Sequence, residues 1–354
     1  MINRAAFMTD IRKMEIREIP MPAPLPGQIV VKLEYVGICG SDVHYYEHGR
    51  IGSNLVKGDF ILGHECAGVV TEVGEGVKSL VPGDRVALEP GDTCGACEYC
   101  LSGRYNLCPD VIFLATPPVQ GCFMNYMAFP AKLAFKLPDN ISTKEGALVE
   151  PLAVGLEAAT VGGVRLGGSV AILGSGCIGL VSMLASKALG ASETIVTDVI
   201  DLRLEKALEL GATRVFNAAN QDIVKELIHS GGSGGGNGGG SSNGYDVVME
   251  TAGAVATAQQ APLLVKRGGS IVLVGLPPVD TFPFDFSALM GRVAEIKTIF
   301  RYKNQYPVAI NALASGKIDV SGIVTHEYAF EDIAEAFRVN IEERSSVVKT
   351  VIKL

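Results

Sequence analysis

The run "SVAILGSGCIGLVSMLASKALGASETIVTD", residues 169–198, constrains the fold more than any other stretch. An apolar strand leads straight into Gly174, Gly176 and Gly179, spaced G-x-G-x-x-G, and the glycines open a segment of helical periodicity. A second short strand closes on Asp198, nineteen positions beyond Gly179. Strand, glycine turn, helix, strand and acid together form the dinucleotide-binding βαβ pattern. Gly174 permits the tight turn, Gly176 lets backbone approach a pyrophosphate, and Gly179 lets the helix lie close on its strand. The helix N-terminus, with Ile178 in its first turn, offers N–H donors and the positive end of the helix dipole to phosphate. Asp198 is expected to accept from the adenosine ribose hydroxyls and to repel a 2′-phosphate, favouring NAD over NADP. Arg203, five residues past Asp198, either flanks the same ribose and weakens that exclusion or is a plain solvated charge.

The alternation continues downstream. "RVFNA", "YDVVMETAG" and "GSIVLVGL" are further short apolar strands separated by helix-length stretches, which implies a doubly wound parallel sheet in an α/β fold. Val274, Gly275 and Leu276, where the strand "SIVLV" ends, are the expected nicotinamide contacts. The first ~150 residues differ: "QIVVKLEYVGI", "AGVVTEV" and "DRVALEP", broken by Gly, Pro and Asp, predict a β-rich, barrel-like unit. The expected domains are 1–153, completed by 291–354, and a nucleotide-binding domain over 154–290. Residues 231–244, with nine glycines in fourteen positions, carry no phosphate-binding context, because the helix-like run precedes them and the strand follows. They read as a flexible surface connection.

A net charge of −8 without any Lys/Arg-rich block argues against a nucleic-acid partner. No apolar run approaches the ~18 residues of a membrane span, and the first twenty residues lack a signal-peptide core. Eight cysteines without a secretion signal point to a reducing compartment, by default the cytoplasm.

Four of those cysteines sit in "CGACEYCLSGRYNLC". Cys94, Cys97, Cys100 and Cys108, separated by two, two and seven residues, match a closed, tetrahedral structural zinc site. A second site needs separate segments: Cys39 in "GICGSDVHYYEHGRIG", His64 and Glu65 in "ILGHECAGVV", and Glu150 in "ALVEPLAVG". Thiolate, imidazole and carboxylate with one open position make up a catalytic zinc. Spacing alone leaves room for a satisfied core histidine instead.

The run G-H-E-x2-G-x5-G-x2-V, here Gly63, His64, Glu65, Gly68, Gly74 and Val77, resembles the zinc alcohol dehydrogenase signature of the medium-chain dehydrogenase/reductase superfamily. "GICGSDVHYYEHGRIG", "YNLCPDVIFLATPP", "EGALVEPLAVG" and "FRYKNQYPVAI" are similar to its polyol (sorbitol, or L-iditol 2-) dehydrogenase branch. The resemblance spans the whole chain and implies a GroES-like catalytic domain with a Rossmann domain. It makes Cys39, His64 and Glu65 zinc ligands and Asp42 the acceptor that orients His64, leaving Cys66 as a packed small side chain. Glu150 stands where other alcohol dehydrogenases place a third cysteine, and so either ligates zinc or holds its water. Some polyol dehydrogenases lack several of the four clustered cysteines, which this chain keeps, and the glycine-rich segment has no counterpart.

The implied reaction is reversible oxidation of a secondary alcohol on a polyol to a ketose, with zinc acidifying the hydroxyl and NAD taking the hydride. Ser41 begins a proton relay in this picture. Tyr45, Phe113, Glu150, Arg301 and Tyr302 line the substrate pocket, Arg301 and Tyr302 ending the strand-like "EIKTIFRY", and Phe300 joins the cofactor contacts. A homo-oligomer is expected, tetramers being usual among relatives. Two other readings stay open at this level: a butanediol- or threonine-type zinc dehydrogenase, and a non-catalytic protein that binds zinc and nucleotide.

Overall fold

The structure, a computed structural model, describes residues 2–229 and 244–354. The glycine-rich stretch, apart from Gly244, lies outside the described residues. The chain divides into two compact units. One comprises Met1–Glu150, Tyr306–Gly316 and Val324–Leu354, the other Pro151–Gln305 and Lys317–Ile323.

The first unit is built on a seven-stranded sheet. Its strands are β1 (Gln28–Ile38), β2 (Glu65–Val73), β3 (Arg85–Leu88), β4 (Tyr126–Pro130) and β5 (Ala134–Lys136). Two later strands join it, Val324–Ala329 and Lys349–Lys353, labelled β12 and β13 below. The order is β5-β3-β2-β1-β13-β12, with β4 also paired to β1. Inward residues Val31, Leu33, Val36, Cys66 and Val70 pack against Phe123 and Phe337 in one apolar cluster. Cys66 is thus the packed side chain expected, at 2% exposure. The antiparallel register sets Gly37 opposite Glu65, and Ile38 opposite Thr350 of β13. That pairing demands glycine at 37, because a Cβ there would strike the Glu65 carboxylate. From the end of β1 the chain enters α1 (Gly40–His48), with Cys39 as its extended N-cap.

The second unit holds β6 (Ser169–Leu173), β7 (Glu193–Asp198), β8 (Arg214–Asn217), β9 (Tyr245–Glu250), β10 (Val265–Leu273) and β11 (Glu295–Thr298). All pairs are parallel, in the order β8-β7-β6-β9-β10-β11. The strand order therefore reverses between β6 and β9, and ligands bind such sheets outside the carboxyl ends of the strands at that switch point. The central strands are buried along nearly their whole length, as cover on both faces requires.

Two expectations shift. Residues 291–305 belong to this second unit, not to the first, because β11 ladders onto β10 from Ser270↔Glu295 to Leu273↔Thr298. The strand also stops at Thr298, so Arg301 and Tyr302 lie in the connection beyond it, with Arg301 at φ +58°. No helix among the described residues is long and apolar enough to cross a membrane.

Candidate functional site

Asp42 organises the first cluster. It is fully buried, and its two carboxylate oxygens accept the N–H of Cys39 at 3.0 Å and of Gly63 at 2.9 Å. One carboxylate thereby ties the start of α1 to the residue preceding His64. The ligand atoms of Cys39, His64 and Glu65 all lie within 4.8 Å of one another. The His64 Nδ1 stands 3.6 Å from Asp42 Oδ1, an ionic contact longer than a good hydrogen bond. Burial disfavours charge on His64, but the negative charges of Asp42 and Cys39 outweigh it and raise the imidazole pKa well above its ordinary value. Thiolate, imidazole and carboxylate around one point fit zinc, and three protein donors leave a fourth position open.

Glu65, 1% exposed, has a second neighbour that sequence reasoning missed. The ammonium of Lys349, itself 3% exposed, pairs with Glu65 and donates to the Ile38 carbonyl at 2.9 Å. A lysine inside the apolar strand "SVVKTVIKL" was the available signal, for the same reason that a charge in "ILGHECAGVV" was one. Glu150 is buried but stands outside the three-donor set. Phe113 tilts its ring 5.8 Å from that of His64. Tyr45, on α1, is buried, which raises its phenol pKa, and Ser41 lies in the first turn of the same helix.

The four-cysteine cluster is assembled as expected, all four sulfurs lying within 4.8 Å of one another. Cys94 approaches Cys108 at 3.5 Å and Cys100 at 3.9 Å, and Cys97 lies 3.5 Å from Cys100. Backbone N–H groups of Ala96 and Cys97 point at the Cys94 sulfur, at 3.5 and 3.4 Å, and bring its thiol down to about 7. Four sulfurs held this way fit a closed tetrahedral zinc site.

In the second unit, Gly174 turns the chain at φ +108°, where a Cβ would also meet Ala252. Gly176 caps α2 (Cys177–Ala188), whose first turn carries Ile178, and a Cβ on Gly179 would collide with the Gly174 carbonyl. Asp198 ends β7 and accepts N–H groups from Ser175 at 2.7 Å, Val199 at 2.8 Å and Ile200 at 3.1 Å. A carboxylate has about four lone-pair sites, so with three N–H groups bound, about one remains for a ribose hydroxyl. The Ser175 hydroxyl is fully buried and has no hydrogen-bond partner among the described residues. Such an orphan in a glycine turn at a helix N-terminus fits a dinucleotide phosphate. The Arg203 guanidinium comes within 4.0 Å of where a Cβ on Gly176 would sit.

Glu250, a further residue missed from sequence, pins two loops at the carboxyl edge of this sheet. Its carbonyl accepts the N–H groups of Val274 at 2.9 Å and Gly275 at 3.0 Å. Its carboxylate accepts those of Ala252 at 3.0 Å and Gly253 at 2.9 Å, and the Thr257 hydroxyl at 2.7 Å. An acid closing a strand is too common to have flagged it. Leu276 and Phe300 are exposed, Tyr302 is buried, and the Arg301 guanidinium lies 4.7 Å over the Phe300 ring.

One unit with a closed thiolate cluster and an open three-donor cluster, in one chain with a nucleotide-type parallel sheet, defines a zinc-dependent dehydrogenase. Residues 25–139 match the family described as alcohol dehydrogenase GroES-like domain, and residues 177–315 that described as zinc-binding dehydrogenase. A sorbitol dehydrogenase of Bacillus subtilis (strain 168) is 42% identical over 349 residues, covering 99% of this chain and 96% of the relative. An uncharacterized zinc-type alcohol dehydrogenase-like protein of Escherichia coli (strain K12) is 44% identical over 356 residues, covering 100% and 99%. A crystal structure from Escherichia coli, described as an oxidoreductase/dehydrogenase of unknown specificity involved in membrane biogenesis, superposes with a TM-score of 0.93. It shares 43% identity and covers 100% of this chain and 99% of that one. The chain belongs to the zinc-containing medium-chain dehydrogenases, in their polyol dehydrogenase branch, and is an enzyme of the alcohol dehydrogenase type.

Proposed function

We propose that the chain is an NAD-dependent zinc polyol dehydrogenase that reversibly oxidises a secondary alcohol of a sugar alcohol, of sorbitol, xylitol or L-arabinitol type, to the ketose. The observation that carries this reading is the convergence of half-buried Cys39 with buried His64 and Glu65, three zinc donors with no fourth in their set among the described residues. Likeness to a sorbitol dehydrogenase supports the polyol substrate.

Bound zinc supplies a Lewis acid that lowers the pKa of an alcohol, and bound NAD supplies the hydride acceptor. Cys39, His64 and Glu65 hold the ion, while Asp42 orients the His64 ring and balances its charge. Glu150 either completes the coordination or takes up the proton that the alcohol releases, and Ser41 begins that proton's path outward. Phe113, beside the His64 ring, excludes water, and Tyr45 offers a neutral hydroxyl to the substrate. The roles of Arg301 and Tyr302 toward the remaining substrate hydroxyls, and of Phe300 toward the cofactor, rest on the family resemblance. Cys94, Cys97, Cys100 and Cys108 hold a second, structural zinc.

For the cofactor, the Gly174–Gly179 turn and the Ser175 hydroxyl receive the pyrophosphate, Asp198 the ribose, and Val274, Gly275 and Leu276 the nicotinamide. The negative charge of Asp198 favours NAD over NADP, with Arg203 moderating the preference. A homotetramer is the proposed assembly. Supporting it, β11 is a sheet edge and Met290 and Val293 just before it are 75% and 81% exposed. The cluster of free thiols supports a cytoplasmic location.

A panel of five- and six-carbon polyols and small diols, assayed with NAD and with NADP, tests the reading. Turnover of the polyols with NAD is the expected result. Activity confined to small diols would move the enzyme to the butanediol type, and no turnover of any alcohol would overturn the proposal.

A further inference from the structure

Helix α1, which starts at the Cys39 cluster, carries two histidines in its second half. His44 and His48 are four residues apart, so their side chains share one face of the helix. Both are exposed, and their rings stand 4.6 Å apart between centroids at an interplanar angle of 66°. A metal–nitrogen bond of about 2.0–2.1 Å puts each ring centroid about 3.2 Å from a shared ion. Two such rings at right angles about the ion then lie about 4.5 Å apart, close to the separation observed.

We propose that His44 and His48 form a third metal site, a surface chelate for a late first-row divalent transition cation. Two imidazole nitrogens suit Cu2+ and Ni2+, which stand high in the affinity order of divalent first-row ions. The position helps as well. His48 is the last residue of α1, where the negative end of the helix dipole favours a cation. The Glu47 Oε2 lies 3.7 Å from His48 Nε2, but Arg12 and Arg344 already pair with this carboxylate at 2.6 and 2.8 Å, so the two imidazoles must hold the ion. Burial and the neighbouring His48 lower the proton affinity of His44, against a smaller opposing effect of Glu47, so protons compete less with a metal there. The site is separate from the Cys39 cluster, although both ends belong to one nine-residue helix.

The test uses tag-free, zinc-loaded enzyme, titrated with Ni2+ alone by calorimetry while zinc content is followed. One nickel per chain is expected, with zinc retained. His48→Gln and His44→Gln should each weaken binding about tenfold or more, since a chelate loses one of its two protein ligands. Nickel should also raise the melting temperature of the wild type and not that of either variant. Binding of equal strength in both variants, or nickel uptake only as zinc leaves, would overturn the proposal.

Discussion

Lys349 places a buried positive charge against Glu65, one of the three proposed zinc donors. Removing one partner of a buried ion pair typically costs about 3–5 kcal/mol, because the other charge is left uncompensated. Lys349→Met preserves bulk and removes the charge. If zinc also binds Glu65, the ion takes over part of that compensation. The loss of stability should then be large in zinc-free protein and clearly smaller in zinc-loaded protein. Melting curves with chelator and with excess zinc read the difference, and equal losses in both states would take Glu65 out of the ligand set. Lys349 also shows where sequence reading stops. His64, Glu65 and the four clustered cysteines were legible because their neighbours in sequence carry the pattern. Lys349 meets Glu65 only through the β1 registers with β2 and β13, and a single sequence does not print a register.

Among the elements, the cysteine lobe and the α1–β2 junction hold their proposed ions differently. The lobe surrounds one point with four sulfurs, whereas the junction offers three donors. Zinc at the junction should therefore leave first under a chelator, taking activity with it, while zinc in the lobe leaves later and takes stability. Metal analysis during a timed chelation follows both, and a single ion per active chain would contradict the reading. The parallel sheet was similarly uneven in legibility. Strands β6, β7 and β9 announce themselves as apolar runs buried on both faces. β11 reads "EIKT", mostly exposed at the sheet edge, and carries almost no hydrophobic signal. That is why the domain boundary was expected near 290 when the second unit continues to Gln305.

At the scale of the whole molecule, the exposed side chains beside β11 make assembly testable. Met290 and Val293 precede a strand edge with no partner among the described residues, a combination that favours pairing with another chain. Replacing both with lysine should lower the mass measured by sedimentation without unfolding the chain, because neither side chain is buried. An unchanged mass would place the subunit contact elsewhere. The interleaving of β13 between β1 and β12 has a consequence for biosynthesis. Lys349 follows Glu65 by 284 positions, yet both complete one buried corner of the first unit. During vectorial synthesis Glu65 leaves the ribosome long before its counter-charge exists, and the intervening chain contains the entire nucleotide-binding sheet. The nucleotide unit is thus free to mature co-translationally, whereas the catalytic corner must wait until β13 has been made. Nascent chains stalled before β13 should bind dinucleotide while still lacking a settled place for the active-site metal.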